Sequence, residues 1–551
     1  MDYHTLKKNT HTLKSCGKFC RYADTCERAN DIVSTVKVKK RDIVKLANWL
    51  DNYAVGTAEA EEDFKAKFYE AMESPFSRFN VIKAQTALGK TEIYLDYMLV
   101  SLKPCLIAVP TNLLKLDVYK RAVKKYGETE IKKYPEFNEL TGEARMEKFM
   151  ELGSKKVKMT PSLNEIMERP ENKDNPIIHE KWRILKILYD SGKHKKVVPM
   201  IKRMLQEEDI PILQDYLDDL AALSGFEGHI ITTHGMLLHM SKQKLQKYKI
   251  IVDEDILNTV FKNKGKIDVY SLINKLKSCN LDSPAVDKLI QAYEYTKNAT
   301  TKDVIFSLPK VELDKESAAM SWGFDIAAFC ETEHFCYCLK DCSIVFIKPV
   351  TFPDLKYTVV SATVNKIIYE YYFGKDKVKF NECIIAPYKG ELIQYYDRTM
   401  SRSYIRDNLR IYFDIEKRLG KMNCITFLEF AGADLIHFGA TEGCDFFKGQ
   451  DLCVIGTYHV PPWMYKLIAL NIGIEFDITD DLQDQEVSHN GYKFKFMTYK
   501  DEVLRNIQFY IVEGELEQAV GRARLLRYDC TVHLFSNFPL RQARLRRWVG
   551  I

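Results

Sequence analysis

Short apolar runs that end in small, hydroxylated or acidic residues recur along this chain, separated by long polar stretches. Phe79–Ile82, Cys105–Val109, Ile230–Ile231, Tyr248–Val252, Val359–Val360, Asn423–Phe430 and Leu452–Thr457 are β-branched or apolar and read as buried strands. Between them the period changes. Leu213, Tyr216, Leu217, Leu220 and Leu223 repeat at three and four, which predicts an amphipathic helix, and 405–419 and 43–52 also read as helical. Strands alternating with helices predict an α/β fold built on parallel sheets. No fixed-period repeat or low-complexity tract interrupts the plan.

The strand at Phe79–Ile82 runs into Ala84-Gln85-Thr86-Ala87-Leu88-Gly89-Lys90-Thr91. A loop ending in Gly-Lys-Thr between a strand and a helix binds phosphate, because backbone N–H groups at a helix start converge on an anion. Lys90 would reach the β- and γ-phosphates of a nucleotide, and the Thr91 hydroxyl would hold Mg²⁺. Alanine replaces the usual first glycine, which a small residue can do. The strand at 248–252 ends in Asp253-Glu254-Asp255, at the edge where α/β folds place chemistry. Asp253 would hold Mg²⁺ through water and Glu254 would orient and deprotonate the attacking water.

Val359-Val360-Ser361-Ala362-Thr363 follows, and then Gln518-Ala519-Val520-Gly521-Arg522-Ala523-Arg524 near the C-terminus. Four such signals in this order resemble superfamily 2 helicases over roughly residues 75–535. The resemblance implies motif I at Lys90 and Thr91, motif II at Asp253 and Glu254, motif III at Ser361–Thr363 and motif VI at Gln518–Arg524. It also implies two RecA-like lobes that bind ATP, with Arg522 and Arg524 acting on the nucleotide; the spacing leaves open which is the arginine finger, and Arg524 is the expected one, with Arg522 helping to bind nucleotide. Pro110-Thr111-Asn112 is similar to motif Ia, and it and Thr232-Thr233-His234 would present donors to a nucleic-acid backbone. The arginine spacing of motif VI resembles Dicer-type and RNA-sensing helicases. Thr441–Leu452 is similar instead to motif V of XPD/DinG-type helicases, and it tilts the expected partner toward DNA while leaving RNA open.

Composition narrows the picture further. The 551 residues are 46% hydrophobic and 28% charged, which is ordinary for several globular domains, and a net charge of +5 leaves nucleic-acid binding to local patches. Arg541–Trp548, with four arginines, is one candidate patch or a solvated helix end. No apolar run reaches the roughly 18 residues of a membrane span, and Met1–Lys8 is no secretory signal. The expectation is a soluble intracellular protein, cytoplasmic or nucleoid-associated. The 14 cysteines should then be reduced, so clusters suggest metal before disulfides. His11, Cys16, Cys20 and Cys26 are candidate zinc ligands in a segment with little core of its own. Cys330, Cys336, Cys338 and Cys342 lie among apolar hairpin residues, where cysteine acts as a small hydrophobe.

The expected organisation is an N-terminal cysteine-rich and helical segment, 1–70; a first lobe, 71–363, with helical insertions at about 112–228 and 256–355; and a second lobe, 364–551. The insertions resemble in position those of XPD/DinG-type helicases, but the first contains no cysteine, which excludes an iron–sulfur cluster there. The function expected is an ATP-dependent helicase or translocase with ATP and Mg²⁺ as cofactors. The alternative is an ATP-gated nucleic-acid binding or remodelling switch that does not separate strands.

Overall fold

The computed structural model describes residues 38–39, 41–46, 56–75, 78–137, 139–167, 169–297, 299, 301–420, 422–431, 436–441 and 446–548. The chain forms two compact units, one of residues 1–93, 360–462 and 476–551, the other of residues 94–359 and 463–475. His11, Cys16, Cys20 and Cys26 lie outside the described residues, as do positions 442–445 of the motif V segment.

The larger sheet has seven strands: β1 (Phe79–Lys83), β2 (Cys105–Val109), β3 (Val157–Met159), β4 (His229–Thr233), β5 (Lys249–Asp253), β6 (Tyr357–Ser361) and β7 (Val378–Glu382). Their order is β7-β1-β6-β5-β2-β4-β3, and the division between the units falls inside β6. Ile107 aligns with Ile231 on one side and Ile251 on the other, in parallel register. All of β2 is buried, which is why its sequence is continuously apolar rather than alternating. Helix α1 (Thr57–Glu73) packs on β1 and buries Ala60, Phe64, Phe68, Ala71 and Met72, a helical stripe. Helix α2 spans Lys90–Val100.

A second parallel sheet holds β8 (Glu391–Tyr395), β9 (Asn423–Ile425), β10 (Leu452–Ile455), β11 (Thr531–Phe535) and β12 (Arg544–Arg546), in the order β9-β10-β11-β8-β12. Helix α3 (Glu502–Gly521) packs on β10 and buries Phe509, Val512, Leu516, Ala519 and Val520. The class is α/β with two parallel sheets, as the sequence predicts.

Several boundaries differ from the sequence expectation. β7 comes after motif III in the chain yet pairs in parallel with β1, because Phe373 of the intervening helix stacks on Phe79 at 3.6 Å and returns the chain to that edge. Within the first insertion, β3 adds a parallel edge strand beside β4, so only 163–223 forms a separate helical core, around Leu185, Ile201 and Leu213. The second insertion is not simply helical. It carries a four-stranded antiparallel sheet of Lys264–Asp268, Ser343–Ile347, His334–Cys338 and Val304–Ser307, packed around Phe329, Phe335 and Phe346. Ile43–Lys45, expected to be helical, is a strand antiparallel to Tyr492–Phe494.

Gly456, just after β10, has φ +144°, and a Cβ there would lie 2.7 Å from Phe427 and 2.8 Å from Phe438. Gly456→Ala should therefore destabilise the second sheet by about 1–3 kcal/mol through overpacking. Chemical denaturation measures this, and an unchanged midpoint would show that the two rings can move aside.

Candidate nucleotide site

The loop of Ala84–Thr91 leaves β1 and is tied at its start by the Ala84 N–H, which donates to the Ser361 carbonyl at 2.9 Å. It then turns twice through left-handed backbone, at Ala87 (φ 63°) and Gly89 (φ 84°), so that α2 begins at Lys90. For alanine this conformation costs about 1–2 kcal/mol, because its Cβ crowds the following carbonyl. Lys90 is buried and Thr91 half-buried.

Three contacts hold this loop from outside. The Gln85 amide is bidentate to Ala386: its Nε2 donates to the carbonyl at 3.1 Å and its Oε1 accepts from the N–H at 3.1 Å. Thr86 faces the end of α3, where a Cβ on Gly521 would come within 3.0 Å of the Thr86 methyl. That close approach explains the glycine of the Gln-x-x-Gly-Arg segment. Finally, Arg527 donates from Nε to the Ala87 carbonyl at 2.8 Å, while its Nη2 pairs with Glu61 of α1. Sequence reasoning missed Arg527 and Glu61. A third arginine three residues beyond Arg524 was the one visible signal, and nothing local marked Glu61.

Arg522 and Arg524 follow directly on α3. Arg522 donates from Nε to the Gln518 carbonyl, one turn back on its own helix, at 3.2 Å. Arg524 adopts φ 57° just past the helix end. Gln518 is buried, and its Oε1 accepts no hydrogen bond among the described residues.

Beside the loop, Lys83, Gln85, Thr363, Glu513, Glu517 and Arg541 line a cavity of about 80 Å³. Burial alone would raise Glu513, but the His489 imidazole at 3.0 Å, aided by Lys83 and Arg541, holds its carboxyl far below the usual range. Glu517, one turn along α3, is pushed up to about 7 by burial and by the Glu513 charge. Two carboxylates in one pocket thus divide, one firmly ionised and one poised to take a proton.

In the other unit, Asp253 ends β5 and is buried, its Oδ2 accepting from the Tyr94 hydroxyl at 2.8 Å. Glu254 follows in the left-handed region, φ 69°, and Asp255 caps the next helix by accepting from the Leu257 N–H at 3.1 Å. Pro110, Thr111 and Asn112 are half-buried; Thr111 accepts from the Leu114 N–H at 3.2 Å and Asn112 donates to Ser162 at 3.1 Å. Thr233 accepts from the Met236 N–H at 3.3 Å.

Two expected backbone-contact residues point inward instead. Thr232 is fully buried and bonded to the Thr160 hydroxyl at 2.9 Å. His234, also fully buried, bridges the Asp253 carbonyl (Nε2, 2.9 Å) and the Thr259 hydroxyl (Nδ1, 3.0 Å). A carbonyl only accepts, so Nε2 carries the proton and Nδ1 accepts from Thr259. Thr232 ties β4 to the chain beyond β3 and His234 braces β5, so neither offers a donor outward; the strand end that looked like turn chemistry lies inside the sheet's core.

The other candidates resolve similarly. Cys330, Cys336 and Cys338 are buried among apolar residues, and burial pushes the Cys330 thiol up to about 11. No cluster of metal-ligating side chains occurs among the described residues. The Arg541–Trp548 segment is no free basic patch. Arg544–Arg546 is the edge strand β12, and Arg541, Arg544 and Arg547 pair with Glu382, Glu391 and Asp42. No helix among the described residues is long and apolar enough to cross a membrane.

No family model and no curated protein matches the chain. Three solved structures are among those similar to it. One titled XPD helicase is 15% identical with a TM-score of 0.46, over 87% of this chain and 95% of that one. Xpd4 of S. tokodaii is 10% identical with a TM-score of 0.43, over 88% and 99%. S. cerevisiae Dbp5, bound to RNA and ADP BeF3, is 9% identical with a TM-score of 0.33, over 88% of each chain.

Burial lowers His234 from 6.5 to about 4, so in the folded chain it stays neutral where the unfolded chain would protonate it. The unfolded state then binds more protons below pH 6.5, and stability falls as pH drops from about 6.5 to about 4, by roughly 3 kcal/mol for this group. Urea denaturation at pH 7 and 4.5 should show a smaller loss in His234→Gln than in the parent chain. Equal losses would assign the acid sensitivity to other groups.

Proposed function

We propose that the chain is an ATP-dependent helicase or translocase that couples nucleotide hydrolysis to movement along nucleic acid. The observation that carries the reading is the phosphate loop itself, held by the Gln-x-x-Gly-Arg segment through Gly521 and by Arg527. A nucleotide bound there is sensed directly by the part of the chain that builds the second sheet. Loss of the γ-phosphate then changes the second sheet's hold on the loop, which is how nucleotide state becomes motion in switch proteins of this chemistry.

In this reading Lys90 and the loop N–H groups of Ala84–Thr91 take the phosphates, and Thr91 and Asp253 hold Mg²⁺. Lys90 is a buried ammonium at a helix start, which suits the phosphates, and carboxylate and hydroxyl oxygens are the ligand type a hard cation takes. Glu254 prepares the attacking water, Gln518 and Arg522 bind nucleotide, and Arg524 stabilises the transferring phosphoryl group. Pro110, Thr111, Asn112 and Thr233 remain the proposed backbone contacts. DNA is favoured over RNA by the motif V resemblance. An ATP-gated binding switch would use the same residues, and a strand-displacement assay separates the two.

Lys90→Ala should reduce ATP hydrolysis to background while leaving the fold intact, because it removes a phosphate partner and no apolar packing. Glu254→Gln keeps the side-chain shape at the same left-handed position but removes the base. Hydrolysis should fall about 10²–10⁴-fold with ATP still bound. Normal turnover in either variant would place the active site elsewhere.

Nucleic-acid binding should weaken steeply between low and physiological salt, since phosphate contacts release counterions. Affinity unchanged by salt would point to a protein partner.

A further inference from the structure

We infer that Arg527 is a positioning residue of the nucleotide site, one that orients the Leu88 N–H toward bound phosphate by holding the Ala87 carbonyl, with Glu61 as its anchor. The inference rests on the phosphate-loop reading above and adds two residues outside the motifs that identified the site.

Peptide geometry fixes where the Leu88 N–H points. In a trans peptide the carbonyl of one residue and the N–H of the next point in opposite directions. The Arg527 Nε–H donates to the Ala87 carbonyl at 2.8 Å, so the Leu88 N–H on the same peptide plane is turned away from Arg527. Ala87 and Gly89 are both left-handed, and alternation of this kind makes successive N–H groups converge on an anion. Ala87 holds that conformation against its own Cβ, so an external partner has a strain of about 1–2 kcal/mol to offset. A charged donor on the carbonyl also polarises the peptide, which makes its N–H a stronger donor.

Arg527 is itself oriented. Its Nη2 pairs with Glu61, whose helix α1 packs on β1, the strand that launches the loop. The guanidinium therefore connects the chain just beyond α3 to the loop and to the helix behind it. Its Nη1 makes no hydrogen bond among the described residues, and its Nη2 lies 3.5 Å from a Cβ built on Gly89. Lysine offers one point charge and cannot serve Ala87 and Glu61 at fixed angles together.

The test measures the dissociation constant of a fluorescent ATP analogue and the kcat and KM for ATP in the full chain. Arg527→Met should weaken analogue binding and raise KM on the order of tenfold or more, as for a lost charge-assisted hydrogen bond, with kcat within about threefold of the parent. Arg527→Lys should recover part of that loss. Glu61→Gln, which keeps the size of a half-buried side chain and removes no apolar packing, should shift binding in the same direction by less, and combining it with Arg527→Met should add nothing. A fall in kcat at unchanged affinity would overturn the inference and make Arg527 the finger. Unchanged affinity and turnover in both Arg527→Met and Glu61→Gln would also overturn it. Lys90→Ala separates the two levels. If it binds the analogue normally the site reading itself fails, whereas loss of binding there with normal binding in Arg527→Met defeats only the role of Arg527.

Discussion

A loop that reverses through two left-handed residues to present its N–H groups cannot hold that shape by its own sequence, and everything around it here is arranged to hold it. Ala87 works against its Cβ, and a glycine at 89 only makes the turn permissible. The compensation comes from three contacts made by residues 300 or more positions away: the Ala386 peptide on Gln85, Gly521 under Thr86, and Arg527 on Ala87. Each is directional or sterically exact in its demand, so a displacement of a few tenths of an ångström in the second sheet is felt at the loop.

The architecture follows from that demand. β7 returns to pair with β1 in parallel before the chain departs for the second sheet, so the connection 383–390 passes beside the loop it must touch. α3 is buried along most of its length and ends in a glycine where it meets Thr86. A longer side chain at either point of approach would separate the surfaces. The acidic residues Glu513 and Glu517 occupy the same helix one turn apart, and the cations Lys83 and Arg541 come from the loop's own strand and from the C-terminal segment. The cavity's electrostatics are therefore assembled from the same distant pieces.

How much of this could be read from the sequence depended on how local the cause was. The strand before the 84–91 loop, the strand ending at Asp253 and the glycine of the Gln-x-x-Gly-Arg segment were visible because each shows as a short, continuous pattern of residue types. Amphipathic period placed the helix at 211–223, whose buried positions are Leu213, Tyr216 and Leu223. Thr232 and His234 misled because hydroxyl and imidazole groups after a strand look alike whether they meet solvent or a neighbouring strand. Only the parallel pairing of β4 with β2 and β3, which no local pattern specifies, puts Thr232 against Thr160.

The same distinction explains the basic C-terminus. Four arginines within eight residues look like an anion-binding surface when read alone. Each of Arg541, Arg544 and Arg547 instead meets a carboxylate at least 150 positions earlier, and the backbone between them closes the edge of the second sheet. Exposed pairs of this kind contribute at most about 1 kcal/mol each. Their effect is better understood as register: they align β12 with β8 and carry Arg541 into the cavity beside Glu513 and Glu517. The opposite case is Arg527. It stands outside the recognisable arginine spacing and has no local feature to distinguish it from Arg546 or Arg547, yet its guanidinium donates to the Ala87 carbonyl of the 84–91 loop. Charge density along a sequence says little about which charge acts, because the carboxylates that neutralise a cation and the peptide that employs it are both chosen by the fold.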